Sequence, residues 1–154
     1  MSAISFGAIS AGFHALLAAD ATLIAALAQY QGSPAIFTTS QAPPDAGFMR
    51  TGDPIQRWPY IVSNAVQTAE RAGADLWRVE RLVQVHAPLA GDPTYIDAVT
   101  DRLVELLDGT PLTVAGHDVV EPGQVVEIAG VSGPPDFQTD VRLVTFTILL
   151  EKTA

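Results

Sequence analysis

The sequence of 154 residues contains no cysteine and a single lysine. Without cysteine there is no disulfide and no thiolate metal site, so the redox compartment is left open. Eight side chains are basic against seventeen acidic ones, which gives a net charge of −9, and the bases form no cluster. This composition argues against a protein that wraps the phosphate backbone of a nucleic acid.

The common motifs of catalytic and cofactor sites are also missing. The three histidines, His14, His86 and His117, never form the His-x-x-x-His or His-x-His pair that seeds a zinc site. "GHD" at 116–118 has no Gly-x-Ser-x-Gly elbow beside it, so we interpret it as a turn. The glycines are scattered, with no phosphate-binding loop. We predict no catalytic residue, no cofactor and no metal.

Long apolar runs are rare as well. Residues 8–28 reach the length of a membrane span but include His14, Asp20 and Thr22. Asp20 and Asp45 are the charged residues before Arg50, and neither is basic, so the basic region of a secretory signal is absent. We expect a soluble protein, made in the cytoplasm, with no membrane partner.

Charge is scarce overall. Charged residues make up 16% of the chain, against about 25% in ordinary soluble domains. Hydrophobic residues reach 48%, and the mean hydropathy is +0.26. Richness in alanine is one explanation, since it adds little apolar area. We favour the other, that sister subunits cover part of the surface.

Two helices are predicted near the start, in "SAGFHALLAADATLIAALAQ". One apolar face consists of Phe13, Leu16 and Leu17, and another consists of Leu23, Ile24 and Leu27. Asp20 would fall inside the apolar stripe of one straight helix, so we place a break there with Asp20 as N-cap of the second helix. The alternative is one continuous helix with Asp20 at a wet edge.

A β-hairpin is predicted around the turn "RAGAD". "WPYIVSNAVQTAE" precedes the turn and "LWRVERLVQVHAP" follows it, each with apolar and polar residues in alternation. Arg81 interrupts the apolar side of the second strand. His86 falls on the polar side, at the C-terminal end.

"GDPTYIDAVTDRLVELLDG" predicts a long helix after the hairpin. Asp92 is its expected N-cap with Pro93 in first position, and Gly109 ends it. Its buried stripe consists of Ile96, Val99, Leu103, Leu106 and Leu107. The acids Asp97, Asp101, Glu105 and Asp108 fall on the solvated side, so the acids near His86 need no catalytic explanation.

The C-terminal third predicts strands. Residues 117–131 suggest a short hairpin with a turn at Pro122–Gly123. The last strand, "VRLVTFTILLE", is apolar on both sides, with Val144 and Phe146 on one and Leu143 and Leu149 on the other. A strand of this kind is buried under two layers or lies at a subunit contact.

A polar loop is predicted at 40–57, after the short strand "PAIFTT". Loops of that length tend to be functional or mobile. Phe48, Met49 and Arg50 in its middle are candidates for a protein contact, with packing over the core as the alternative. The prediction for the whole chain is one α+β domain, with a mixed, mainly antiparallel sheet of four to five strands, N-terminal helices and one long central helix.

The order of these segments resembles the tail-completion, or tail-terminator, proteins of long-tailed bacteriophages and of phage-derived gene transfer agents. The similarity rests on "LLAADATLIAAL", on "PYIV" at 59–62, on the strand 76–86, on the helix 93–107 and on the terminal "VRLVTFTILLE". The pattern spans nearly the whole chain.

The resemblance implies a non-enzymatic ring subunit, usually one of six, that caps the finished tail tube. Such a ring ends tube polymerisation and meets the head–tail connector or head-closure protein. It would lie at the head-proximal end of the tail after assembly in the host cytoplasm. A net charge of −9 would let DNA pass the lumen without specific binding.

Other functions stay open at this point. Another neck component, such as a head-closure or head–tail joining protein, shares small size and ring formation. A small enzyme would use His86 or His117 with a nearby acid. A dimeric binding module would use the Phe48–Met49 loop as a lid.

Overall fold

The structure is a computed structural model that describes residues 4–38, 42, 59–88, 93–109, 112–132 and 139–153. Within these ranges the chain forms an α+β fold, as predicted from the sequence. The elements in chain order are α1 Phe6–Ala18, α2 Ala21–Ala26, β1 Gln29–Tyr30, β2 Ser33–Pro34, β3 Ile36–Phe37, β4 Tyr60–Arg71, β5 Leu76–Pro88, α3 Pro93–Leu107, β6 His117–Ser132 and β7 Thr139–Lys152.

In the described residues the main sheet has five strands in the order β3-β4-β5-β7-β6. Among these strands β3 and β4 pair parallel, and the other three pairs are antiparallel. Strands β1 and β2 form a separate two-residue hairpin that the sequence patterns did not predict. The hairpin β4–β5 and the long final strand β7 are confirmed.

The predicted break between the first two helices is confirmed, and the alternative of one continuous helix is wrong. Asp20 is extended, and its Oδ1 accepts from the backbone N–H of Leu23 at 2.7 Å, which caps α2. The same carboxylate binds the guanidinium of Arg102 on α3 at 2.5 Å. Arg102 lowers the pKa of Asp20 through this hydrogen bond. One residue thus starts α2 and ties it to α3.

Helix α3 follows its predicted pattern. Ile96, Val99, Leu103 and Leu107 are buried, and Leu106 is half-buried. The four acids of the helix and its end are exposed. Gly109 has a φ of +76°, a left-handed conformation that glycine adopts without strain, and the helix ends before it. The expected cap Asp92 lies outside the described residues.

The predicted short hairpin at 117–131 is wrong. Residues 117–132 form one strand, β6, that pairs with β7 over its whole length. Pro122 and Gly123 make an irregularity in the register instead of a turn, because the long strand β7 offers a continuous partner. The turn predicted at 116–118 lies one residue earlier: Ala115 and Gly116 form it, with a φ of +75° at Gly116, and His117 and Asp118 begin β6.

The core lies between the helices and one side of the sheet. It joins Ile9, Phe13 and Leu17 of α1 to α3 and to the inward side chains of β5 and β7. The rings of Phe13 and Phe146 meet edge to face at 5.6 Å. No helix in the described residues is long and apolar enough to cross a membrane.

Candidate protein-interaction surface

The two sides of the sheet differ in what covers them. We call the side under the helices the first face; Val79, Val83, Phe146 and Ile148 lie on it, and all are buried. The opposite side is the second face. Cross-strand partners share a face, so the register assigns Val66, Leu82 and Thr145 to one row of the second face. In the described ranges all three helices pack on the first face.

Strand β7 illustrates the difference because it is apolar on both sides. Val144, Phe146, Ile148 and Leu150 point into the core and are at most 2% exposed. On the second face, Val141 and Leu143 are half-buried, and Leu149, near the end of the strand, is buried. An interior strand with apolar side chains on both sides is normally covered on both.

The second face is divided into an apolar part and a charged part. Three cross-strand rows carry no charged side chain on β4, β5 and β7; they are Tyr60–His86–Val141, Val62–Gln84–Leu143 and Val66–Leu82–Thr145. Glu70, Arg78 and Glu80 lie further along, towards the β4–β5 turn. Val62 is buried, Val66 is exposed, and the other side chains of these rows are half-buried. The apolar part resembles the centre of a protein interface, from which charged residues are depleted.

A row of rings borders this apolar part. Tyr30 contacts Phe37 at 5.4 Å between ring centroids, and Phe37 contacts Tyr60 at 6.0 Å, both edge to face. Tyr60 stacks on His86 at 4.9 Å. The four rings are half-buried. Aromatic side chains are enriched in protein interfaces, so the row extends the candidate surface.

His86 belongs to this surface and not to a catalytic pair among the described residues. Its Nε2 lies 2.9 Å from the Gln84 side-chain oxygen, and its ring stacks on Tyr60. Burial lowers the pKa of His86 to about 4, so the imidazole is neutral near pH 7. Burial also raises the pKa of Tyr60. The arrangement provides a neutral ring stack.

His117 lies at the other end of the sheet. It pairs with Lys152, near the end of β7, whereas His86 pairs with Val141, near its start. His117 Nδ1 is 2.8 Å from the carbonyl of Ala115, and the N–H of Ser5 points to its Nε2 at 3.4 Å. The imidazole therefore connects the turn to the start of α1. No group of three His, Asp or Glu residues that could hold a metal occurs in the described ranges.

Arg81 is a buried cation on the first face. A bulge in β4 between Val62 and Val66 removes the Ser63 carbonyl from the strand ladder, and Arg81 Nε donates to it. The guanidinium also donates to Ser10, Gln67 and the Ser63 hydroxyl, and it lies 4.6 Å from the ring centroid of Phe13. Burial lowers its pKa to about 10, so Arg81 stays charged near pH 7. A charged residue at an apolar position of β5 was the sequence signal of this buried cation.

Large apolar side chains are also exposed along the sheet edges. Val66 of β4 is 52% exposed, and Val126 and Ile128 of β6 are 54% and 53% exposed. The sequence analysis did not single these residues out. The sequence signal was the successive valines at 119–120 and 125–126. In an alternating strand the two members of such a pair point to opposite sides of the sheet, so one of them points away from the core.

The contact residues predicted from the sequence, Phe48, Met49 and Arg50, lie outside the described residues. So does the 40–57 loop around them, except Ala42. They stay a prediction, and the structure adds the second face and the strand edges as the surfaces that can be described.

Similarity to a solved structure extends over nearly the whole length of this fold. A chain of a structure described as "Virion of native gene transfer agent (GTA) particle" superposes with a TM-score of 0.69. The alignment covers 97% of this chain and 99% of that chain, at 18% sequence identity. At that identity the likeness shows a shared fold. No protein-family model matches the sequence, and no curated protein matches it.

Proposed function

We propose that this protein is a structural component of a phage-like particle and that it acts there as a tail terminator. Copies form a ring, with six as the expected number, on the head-proximal end of the tail tube. The ring stops tube polymerisation and offers a surface to the head–tail connector or head-closure protein. The observation that carries the proposal is the likeness to a chain of a gene transfer agent virion, which spans both chains almost completely.

The surface of the single chain supports self-association. The second face leaves uncharged rows on β4, β5 and β7 without a helix over them in the described ranges. Val66 and Ile128, on strands near the two opposite edges of the sheet, are more than half exposed. A closed ring buries two different patches on each copy, and this chain has apolar side chains in both places.

The charge supports passage of DNA through such a ring. The whole chain carries −9, and Arg81, one of its eight bases, is buried. An acidic lumen would repel the phosphate backbone, so DNA would pass without specific binding.

The test combines the chain with preassembled tail tubes and, in parallel, with portal and capsid complexes. Co-sedimentation and negative-stain images should show rings at one end of the tubes, and adding the chain during tube assembly should shorten the tubes. Binding to portal or capsid complexes instead would favour a head-closure or head–tail joining protein. A single monomeric species at high concentration, with and without tubes, would contradict any ring.

The enzyme alternative has its own test. His86→Phe together with His117→Gln should leave tube capping unchanged, because phenylalanine keeps a ring stacked on Tyr60 and neither imidazole has a carboxylate partner among the described residues. Loss of capping by this variant with unchanged thermal stability would argue for chemistry at these residues.

We also propose that Phe48, Met49 and Arg50 contact a neighbouring subunit or the tube. Replacing Phe48 and Met49 by serine should weaken association and leave the thermal transition nearly unchanged, because interface side chains contribute to binding more than to folding. A large loss of monomer stability would place the two side chains in the core instead.

A further inference from the structure

We propose that copies of this chain join edge to edge, with β4 of one copy pairing antiparallel with β6 of the next. The sheets of all copies would then form one continuous sheet around the ring. The inference rests on the self-association proposed above and names the surfaces that carry it.

The first edge is the outer side of β4. Strand β3 covers only its beginning, through the pairs Ile36–Ile61 and Phe37–Val62. In the described part of the chain, no strand lies beside β4 from Val66 to Arg71. These six residues keep a regular register with β5. Alternate N–H and C=O groups of such a segment point outward and can accept another strand.

The second edge is the outer side of β6. The part of this strand before Glu127 contains three register shifts and Pro122, features that protect an edge from pairing. The rest of the strand, Glu127–Ser132, is regular opposite Thr145–Asp140. It contains one charged residue, Glu127, and no lysine. Ile128 and the neighbouring Val126 are more than half exposed. The unprotected part of this edge therefore matches the segment Val66–Arg71 of β4 in length.

The strand directions allow one copy to continue the sheet of the next. Each step from β4 to β5, β7 and β6 is antiparallel, so β6 runs opposite to β4. When a second copy continues the sheet with its helices on the same side, its β4 therefore runs antiparallel to β6 of the first copy. Antiparallel pairing is slightly more stable than parallel pairing. Each copy uses two different edges, which is the heterologous contact of a ring.

The requirement that the faces match restricts the register. Gln67, Ala69 and Arg71 lie on the first face, as do Ile128 and Gly130. Placing Arg71 opposite Ile128 aligns first face with first face and pairs Glu70 with Ala129 on the second face. A shift by two residues would bring Glu70 opposite Glu127, where like charges repel.

A pair of β6 strands related by a two-fold axis is the competing arrangement between copies. It would leave the β4 edge of both copies uncovered, whereas the β4–β6 contact of a ring covers both kinds of edge.

The absence of cysteine permits a direct test. Glu70→Cys and Ala129→Cys proteins are mixed and oxidised, and the yield of covalent dimers is measured. The control is a mixture of Phe6→Cys with Ala129→Cys, since Phe6 is exposed on α1, away from both edges. Cross-strand neighbours lie about 4.5–5.5 Å apart between Cβ atoms, close to the reach of a disulfide. We expect the 70–129 dimer to dominate, and a dominant 129–129 dimer would overturn the proposal.

A second variant tests the same edge without a cross-link. Ile128→Lys would face Arg71 of the next copy and should weaken association by about tenfold or more. Val120→Lys is the matched control, since Val120 is 46% exposed on the irregular part of β6. It should leave association within about twofold, as expected for a surface position away from the contact. Association is measured by sedimentation velocity, alone and with tail tubes.

The outcomes separate this inference from the proposed function. Rings that persist in Ile128→Lys, with no excess of the 70–129 dimer, would overturn the edge pairing and leave the ring standing. Normal rings of Ile128→Lys that no longer bind tubes would assign the β6 edge to the tube protein, which also overturns the pairing. A chain that never associates would overturn both.

Discussion

The two faces of the sheet in this protein are built from the same strands, but helices of the described residues pack on the first face and not on the second. On β7, Phe146 points to the helices and is 2% exposed, whereas its neighbour Thr145 is half-buried on the second face. The first face obtains its cover from α1 and α3 within one chain. The apolar content of a sheet face therefore does not determine whether helices of the same chain pack on that face. The segments that connect strands and helices decide where the helices can lie.

The comparison also separates two uses of polar groups. On the first face, the buried polar groups Arg81 and Ser63 satisfy each other where the β4 bulge opens the ladder. On the second face, Glu70, Arg78 and Glu80 are exposed and stand apart from the apolar rows. Polar residues complete a core on one side and leave an apolar region on the other.

The largest expected effect is the loss of the central ring of the first face. Phe146→Ala should lower the free energy of unfolding by about 3–5 kcal/mol, because it removes a buried aromatic side chain and leaves a cavity beside Phe13. Thr147→Ala, on the other side of the same strand, is the control. Equal losses in urea denaturation would mean that the two faces do not differ as described.

Arg81→Met should cost about 1–3 kcal/mol of stability, since it leaves the Ser63 carbonyl and its neighbours without a donor. The exposed Arg78→Met, on the second face, should stay within about 0.5 kcal/mol of the wild type. A more stable Arg81→Met protein would show that desolvation of this cation outweighs its hydrogen bonds.

Asp20→Ala tests the helix layer over the first face and should cost about 0.5–2 kcal/mol through the lost cap. The pKa of Asp20 in the folded protein lies below the ordinary aspartate value of 3.8, so its charge-dependent contribution is present above 3.8 and is lost as pH falls through the folded value. The difference in melting temperature between wild type and Asp20→Ala should therefore shrink on acidification. A constant difference from about pH 7 to about pH 2, where the carboxylate passes from charged to neutral, would assign the effect to packing.

The smallest effect on the monomer is expected on the second face. Leu143→Ser with Leu82→Ser should change the stability of the dissociated chain by about 1 kcal/mol or less, because both side chains are half-buried. Association should weaken much more, as for the centre of an interface. A strong loss of monomer stability with unchanged association would show that the second face is covered within the chain.

Local patterns in the sequence were sufficient for most elements of the fold. Asp20 shows why, since an N-cap needs only a side-chain oxygen and the N–H groups of the next turn. The stripe of α3 follows from helical spacing, and the β4–β5 hairpin from alternation around its turn. These features depend on residues close together in the chain.

The candidate surface was harder to predict from the sequence than the elements of the fold. "VVEPGQVVEIAG" predicts a turn at Pro122, yet β6 remains one strand because β7 pairs with it on both sides of the irregularity. The role of Arg81 depends on Ser63 and Ser10, which are 18 and 71 positions away in the chain. Contacts between residues so far apart cannot be predicted from local patterns, and the sequence shows only a charged residue at an apolar position of the strand.

By itself the sequence determined the α+β composition, the helix boundary at Asp20 and the excess of apolar side chains on β7, because caps, periodicity and composition are local properties. Only the tertiary structure decided which side of β7 the helices cover and which backbone edges stay open. Those outcomes depend on strand order and on where each connection crosses the sheet, and neither is encoded in any single segment.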